Sequence, residues 1–329
     1  MKTDVKRSGK IKNILRSRDF FTFALLVVVF ICAYFLSDSF RDLAYILKCS
    51  TRYVELGMVA YTMTFIIIAG MIDLSAPGTM CCAATITAQL YHLGMNMGLA
   101  IAAGVLTGLI LGMINGTLIA YVKLPPMIVT IGTMNAFRGI AQILIGDKSL
   151  GKFPDWFNSW EKIPVFKIEK ANFSVTLLLF VVLGIIAWFI LHRTRFGRSV
   201  YAIGANENAA KCSGINTSKV KFLLFTAQGV MCSIAGILTM SRLLLVRYDM
   251  ALNQEIDIIT MALLGGTDIN GGKGSILGTF LAIILIIILK TGLIVANITS
   301  DQQTFVMGVI LLLTIIIPNI TEARKKAKG

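Results

Sequence analysis

Residues 97–121 read MGLAIAAGVLTGLILGMINGTLIAY, a run without a charged side chain from end to end. At 1.5 Å rise per residue it crosses a hydrocarbon core of ~30 Å as a single helix. Runs of the same kind lie near 20–37, 54–72, 76–92, 126–145, 174–191, 220–241, 257–268, 275–296 and 304–320. The third and eighth in chain order, 76–92 and 257–268, are weak enough to be broken or re-entrant. Across all 329 residues 56% are hydrophobic and 15% charged, against the ~25% charged residues of a soluble domain. The fold expected is an all-α polytopic membrane protein with about ten transmembrane helices. Composition excludes a soluble enzyme, and with it a secreted disulfide scaffold.

The formal net charge of +14 is unevenly spread. Lys2, Lys6, Arg7, Lys10, Lys12, Arg16 and Arg18 precede the first span, and Arg324, Lys325, Lys326 and Lys328 follow the last. Neither tail interleaves aromatics with its basic residues as an RNA-binding surface would, so no nucleic-acid partner is expected. Basic flanks are what the positive-inside rule produces. Ten spans place both termini on one side. Counted with Lys221 at the mouth of its span, that side holds nineteen Lys and Arg against ten opposite. Both termini are therefore expected in the cytoplasm. The division read from the sequence is a basic N-terminus at 1–19, a transmembrane domain at 20–320 and a basic tail at 321–329. The first span has no small-residue cleavage site after it and reads as a retained anchor. Residues 146–173, with Trp156 and Trp160, read as an interfacial hairpin or short amphipathic segment on the outer side.

Some signals point to packing. Gly104, Gly108, Gly112 and Gly116 recur every fourth residue on one face of the fourth span. Such a face admits a neighbouring backbone, within the chain or, less favoured here, in a second copy. The segment Gly266 to Ser275 resembles a phosphate loop, but Thr267 stands where the first glycine belongs and Gly274 follows Lys273. No ATP hydrolysis is expected on this chain. Six cysteines and two histidines form no metal-ligand spacing, so no metal site is expected.

Polar residues inside apolar runs point to function. Asp73 lies in Gly70-Met71-Ile72-Asp73-Leu74-Ser75-Ala76-Pro77-Gly78, with no basic neighbour. An acid near the bilayer centre costs about 2.5–3.5 kcal/mol on insertion scales. Interrupted helices of this sort line transport paths, although an Asp capping the following helix reads equally well. Asp268-Ile269-Asn270 echoes Asp73-Leu74-Ser75 and suggests an internal duplication. After Pro125-Pro126 the fifth span carries Thr130, Thr133, Asn135 and Arg138, and Asn115 sits just before it. Hydroxyls and amides suit a hydroxylated solute, and interhelical hydrogen bonding explains them as well. Beyond Asp73, the spans offer only one further carboxylate, Glu55, near an end. In the loop 192–219, Asn206 reads as an N-cap, Glu207 as a first-turn acid and Gly214 as a stop. A two-turn helix there needs something to dock on it.

From Phe196-Gly197-Arg198 through Gly214-Ile215 the chain resembles the coupling-loop signature of bacterial ribose/galactose-type sugar ABC transporter permeases. Gly70 to Gly78, Asn115-Gly116, Pro125-Pro126 with Ile128 to Thr133, and Leu264-Gly265-Gly266 with Gly271 to Ser275 match in the same order. Met71 and Ala76-Pro77 depart from the family's Gly-Gly-Ile-Asp-Leu-Ser-Val-Gly.

The resemblance implies an import permease working as a pair with a second copy or a paralogue. ATPase subunits carrying ATP and Mg would sit beneath it, and a periplasmic or lipid-anchored sugar-binding protein above. The loop 192–219 would then be the cytoplasmic coupling loop and 146–173 periplasmic, in the bacterial inner membrane. Contacts with the ATPase would fall to Gly204, Asn206, Glu207, Ala209, Ala210, Ser213 and Gly214. The path would be lined by Asp73, Ser75, Asn115, Thr130, Thr133 and Asn135. No cofactor is expected on this chain, and membrane lipid is its surroundings. The alternative is a secondary transporter of a neutral solute without ATPase partners.

Overall fold

The computed structural model describes residues 18–36, 43–158, 160, 164–168 and 171–326. The basic stretch before residue 18 and the last three residues lie outside them.

Helices follow the apolar runs, except that the second begins eleven residues before its run at 54–72 and ends four short of it: α1 Arg18–Leu36, α2 Leu43–Ile68, α3 Ala76–His92, α4 Met97–Ala120 and α5 Pro126–Ile145. After a two-residue strand β1 (Leu150–Gly151) and the single turn α6 (Asp155–Asn158), a hairpin forms from β2 (Pro164–Ile168) and β3 (Ala171–Ser174). Then come α7 Val175–Arg193, α8 Arg195–Ala205, α9 Glu207–Cys212 and α10 Thr217–Leu243. A second two-residue strand, β4 (Leu245–Val246), precedes α11 Glu255–Leu264, α12 Ile276–Val295 and α13 Ser300–Lys326. Local chemistry sets the starts. Asn96 caps α4 by accepting from the Gly98 amide at 2.8 Å, and Ser174 caps α7 from Leu177 at 3.3 Å. Two prolines open α5, where a missing amide costs little.

Among the described residues α4, α5, α7, α10 and α12 are long and apolar enough to cross a membrane by length and composition. The mostly helical, multi-pass architecture is that of an all-α membrane protein. The weak runs are short helices joined to irregular backbone. α3 has 17 residues and follows the segment 69–75, while α11 has 10, about 15 Å, and leads into 265–275.

The glycines at every fourth residue of α4 are consumed within the chain. Gly108 lies against the Gly229 carbonyl and Ser233 of α10, and Gly116 against Phe222. A methyl group added at Gly112 would come within 2.5 Å of the Phe225 carbonyl oxygen. This face is an internal seam and not the surface of a pair. At the bundle centre α2 buries Met58, Tyr61, Met63 and Ile66 to Ile68. Large apolar side chains stay exposed on α1, α4, α5, α7 and α13, among them Phe35, Leu99, Ile143, Phe189 and Phe305. An outward belt of this kind suits lipid.

One end of the bundle holds the hairpin β2–β3 and the pairing of β1 with β4. There His92 Nε2 lies 2.9 Å from the Gly151 carbonyl oxygen, and Trp156 and Trp160 pack on Phe157. Of the two readings of 146–173, the structure has a hairpin there, β2 paired antiparallel with β3. The other end carries α8, α9 and the glycine-rich segment 265–275.

Candidate functional site

The break between α2 and α3 is a tight polar turn. The Ser75 amide and hydroxyl both donate to Asp73 Oδ1, at 2.8 and 2.5 Å. Asn115 Nδ2 of α4 donates to Ser75 Oγ at 2.8 Å. All three residues are almost fully buried. Asp73, Ser75 and Asn115 thus form one chain of hydrogen bonds, and no ion pair compensates the carboxylate among the described residues. The N-cap of α3 is Ser75, whose side chain makes no capping bond. Asp73 holds the start of the helix through that residue's amide. Asn115 Oδ1 and both amide atoms of Gln228, on α10, are buried without a partner.

The echo at residue 268 has the same geometry. Asp268 Oδ1 accepts from the Asn270 amide at 3.1 Å, the i to i+2 contact that Asp73 makes with Ser75. The two turns also approach each other. Gly272 donates its amide to the Ile68 carbonyl oxygen at 2.8 Å, and a methyl group at Gly271 would sit 2.9 Å from the Gly70 nitrogen. Gly70, Gly271 and Gly272 have φ of +78°, +86° and +75°, a region that glycine enters at no steric cost.

The third party at this junction is α8. Gly204 touches the Ile68 carbonyl, and a side chain there would lie 2.5 Å from the Gly272 nitrogen. Tyr201 adds a hydrogen bond from its hydroxyl to the Gly274 carbonyl at 2.7 Å. The loop 192–219 therefore holds two helices, of which sequence reasoning found only the second. The amphipathic α8 was legible in Phe196, Val200 and Ile203 at helical spacing, of which Val200 and Ile203 are buried.

The segment from Asn206 to Gly214 forms as its residues dictate. Asn206 Oδ1 accepts from the Ala209 amide at 3.0 Å, Ser213 is the C-cap, and Gly214 has φ +83°. Glu207 binds Lys221 at 2.7 Å and Lys211 at 3.0 Å. Partial burial raises its carboxyl, but the hydrogen bonds and charges of Lys221 and Lys211 outweigh this and hold it below the ordinary range. Asn206, Ser213 and Gly214 are exposed, and Ala210 is buried against the bundle. Short helices do not persist in isolation; here the Lys221 bridge, from α10, fastens α9 to the protein.

On α5 the polar residues face different ways. Thr130 is fully buried and donates to the Pro126 carbonyl at 2.9 Å. Thr133 is half-buried and donates to Val129, while Asn135 is exposed and donates to Ile131 at 3.1 Å. The inner face of α5 packs on α3, where a methyl group at Gly78 would come within 2.6 Å of the Met134 carbonyl oxygen.

Two buried ion pairs escaped the sequence reading. Glu55 of α2 receives Arg242 Nε and Nη2 at 3.0 and 2.9 Å, with the Thr239 hydroxyl at 3.0 Å. Asp257 of α11 binds Lys290 of α12, whose ammonium also lies 5.2 Å from the Tyr53 ring centre. Asp257 opens its apolar run, so Glu55 is not the sole further carboxylate. Each acid and its base were visible as charges in or beside hydrophobic stretches; their pairing was not. Among the described residues no group of three metal-ligating side chains occurs.

A bundle of long apolar helices with broken segments and a helix fastened at one end is that of a multi-pass membrane protein. Residues 45–315 match the family described as branched-chain amino acid transport system, permease component. The chain belongs to this family: it is a permease component of an ABC-type transport system. The autoinducer 2 import system permease protein LsrD of Photorhabdus luminescens is 31% identical over 303 residues, 90% of each chain. The protein of that name from Escherichia coli K12 is 30% identical over 311 residues, 93% of each. No solved structure matches.

Proposed function

We propose that this chain is the permease of an ATP-driven sugar importer in the cytoplasmic membrane of a bacterium. It crosses the membrane ten times, with both termini inside and α11 as the shortest helix among the crossings. It works beside a second permease, identical or paralogous. ATPase subunits with ATP and Mg grip α9, and a periplasmic or lipid-anchored binding protein delivers the solute. The substrate is a small hydroxylated molecule of the sugar class, and the autoinducer 2 of the relatives' import systems is the first to test.

One observation carries the mechanism: α8, the end of α2 and the segment 265–275 meet backbone to backbone at Gly204, Ile68 and Gly272. No flexible side chain lies between them, so a displacement of α9 by the ATPase travels into the Asp73–Ser75 turn a few residues beyond Ile68. That turn and Asn115, with Thr130, Thr133 and Asn135 on α5, then alternate the exposure of the path. Specificity resides mostly in the binding protein. Against the secondary transporter stands the engagement of the carboxylates named in the spans. Glu55 and Asp257 are committed to Arg242 and Lys290, and Asp73 to Ser75.

The test is a crosslinked pull-down of the tagged chain from its native membranes with mass spectrometry of the eluate. A Walker-type ATPase and a second permease are expected. Recovery of the chain alone, with proton-dependent uptake, would overturn the reading in favour of the secondary transporter.

A further inference from the structure

The α4–α5 connection, α9 and the start of α10 line an open cavity of about 320 Å³. Lys123, Lys211, Lys221, Glu207 and Ser218 supply its polar lining, and Ile119, Leu124 and the two prolines its apolar wall. Three ammonium groups thus face one carboxylate. Both oxygens of Glu207 are already taken, Oε1 by Lys211 and Oε2 by Lys221. Lys123 has no acidic partner among the described residues, and its backbone sits at φ +62°. A cavity with this surplus calls for an anion.

What kind of anion follows from the rim. Tyr121, Val122, Leu124, Met127 and Ile128 beside the cavity are all exposed, and they continue the apolar surface of α4 and α5. A soluble anion would gain nothing from them, whereas acyl chains would cover them. Basic pockets between transmembrane helices on the cytoplasmic side are where acidic headgroups bind, and the volume is at the small end of ligand pockets. We propose that this cavity holds the phosphate headgroup of an anionic phospholipid of the inner leaflet, with its chains along α4 and α5. The inference rests on the proposed topology, which puts this end of the bundle at the cytoplasmic surface.

The experiment uses the purified complex in nanodiscs of phosphatidylglycerol or of phosphatidylcholine, with bound lipid read by native mass spectrometry. The wild type should retain phosphatidylglycerol in preference to phosphatidylcholine. Lys123→Asn suits the left-handed backbone and should lower that affinity about fivefold, the ~1 kcal/mol one lysine contributes near an acidic surface. Lys123→Arg should keep it. Equal retention by wild type and Lys123→Asn would overturn the proposal. So would a Lys123→Asn complex that sheds its ATPase yet keeps its lipid, because the cavity would then receive an acidic side chain of that subunit. Complete displacement of phosphatidylglycerol by millimolar inorganic phosphate would also overturn it, leaving a site for soluble anions. The ATPase is scored in the same spectra, so failure of the coupling reading is seen separately from loss of lipid.

Discussion

The Gly272 amide and the Ile68 carbonyl oxygen share a hydrogen bond of 2.8 Å, and Gly204 is pressed against both residues. Three segments distant in sequence meet there backbone to backbone, with the Tyr201 hydroxyl on the Gly274 carbonyl beside them. Gly204→Val should therefore break the junction. Overpacking costs about 1–3 kcal/mol, so thermal stability should fall and uptake with it. Gly94→Asn is the control, because that site has a positive φ of +94° with open space around it and Asn tolerates positive φ. Uptake and melting temperature of the two variants give the comparison.

Glu207→Arg places a third positive charge between Lys211 and Lys221. It should abolish uptake and ATPase recovery while membrane abundance holds. Normal uptake by this variant would remove α9 from the coupling path.

The same residue sets a pH dependence. Glu207 titrates below its ordinary 4.5 in the folded protein, because Lys211 and Lys221 outweigh burial. A lowered carboxylate stabilises fully above its unfolded value, and the effect is lost as pH falls through the folded one. ATPase association should be flat between about pH 6 and about pH 8, where both forms are ionised, and weaken only in acid. A midpoint near neutrality would show that another group controls docking.

Asp73→Ala leaves the buried Ser75 amide without its acceptor, at a cost of about 1–3 kcal/mol. Asp73→Asn keeps an acceptor oxygen and should preserve abundance while impairing uptake. Full transport by Asp73→Asn would make the residue a replaceable anchor of α3.

Removing one partner of a buried ion pair costs about 3–5 kcal/mol. Lys290→Met should lower abundance and thermal stability by stranding Asp257, and Lys290→Met with Asp257→Leu should recover most of both. If the double variant is no better than the single, the pair is not the source of the defect.

Helix positions were legible because span length, capping and proline placement are local properties. Asn206, Glu207 and Gly214 could be read as cap, first-turn acid and stop for the same reason. The glycines of α4 announced a close approach, but only the structure names Gly229 and Phe225 as what approaches. Asp73 and Asn115 were each conspicuous alone, and their meeting through Ser75 depends on α3 and α4 packing side by side. Lys290 lies inside the run 275–296, yet a charge inside an apolar run does not reveal its counter-charge. Asp257 is 33 residues away. The cationic cavity at Lys123 draws on three separate segments, and none of them is unusual by itself.

Helix α2 is fastened at its end, at Ile68 by the glycine junction, and at mid-length, at Glu55 by Arg242. The attachments are thirteen residues apart, about 20 Å along the axis, on a helix interrupted by no proline. An α-helix this deeply packed neither stretches nor shortens. In the coupling proposed here it behaves as a rocker beam, so a shift imposed at the ATPase end must emerge at the opposite face as a tilt of Glu55 and the last turn of α10. The two faces of the permease are then geared together, and neither can open on its own schedule.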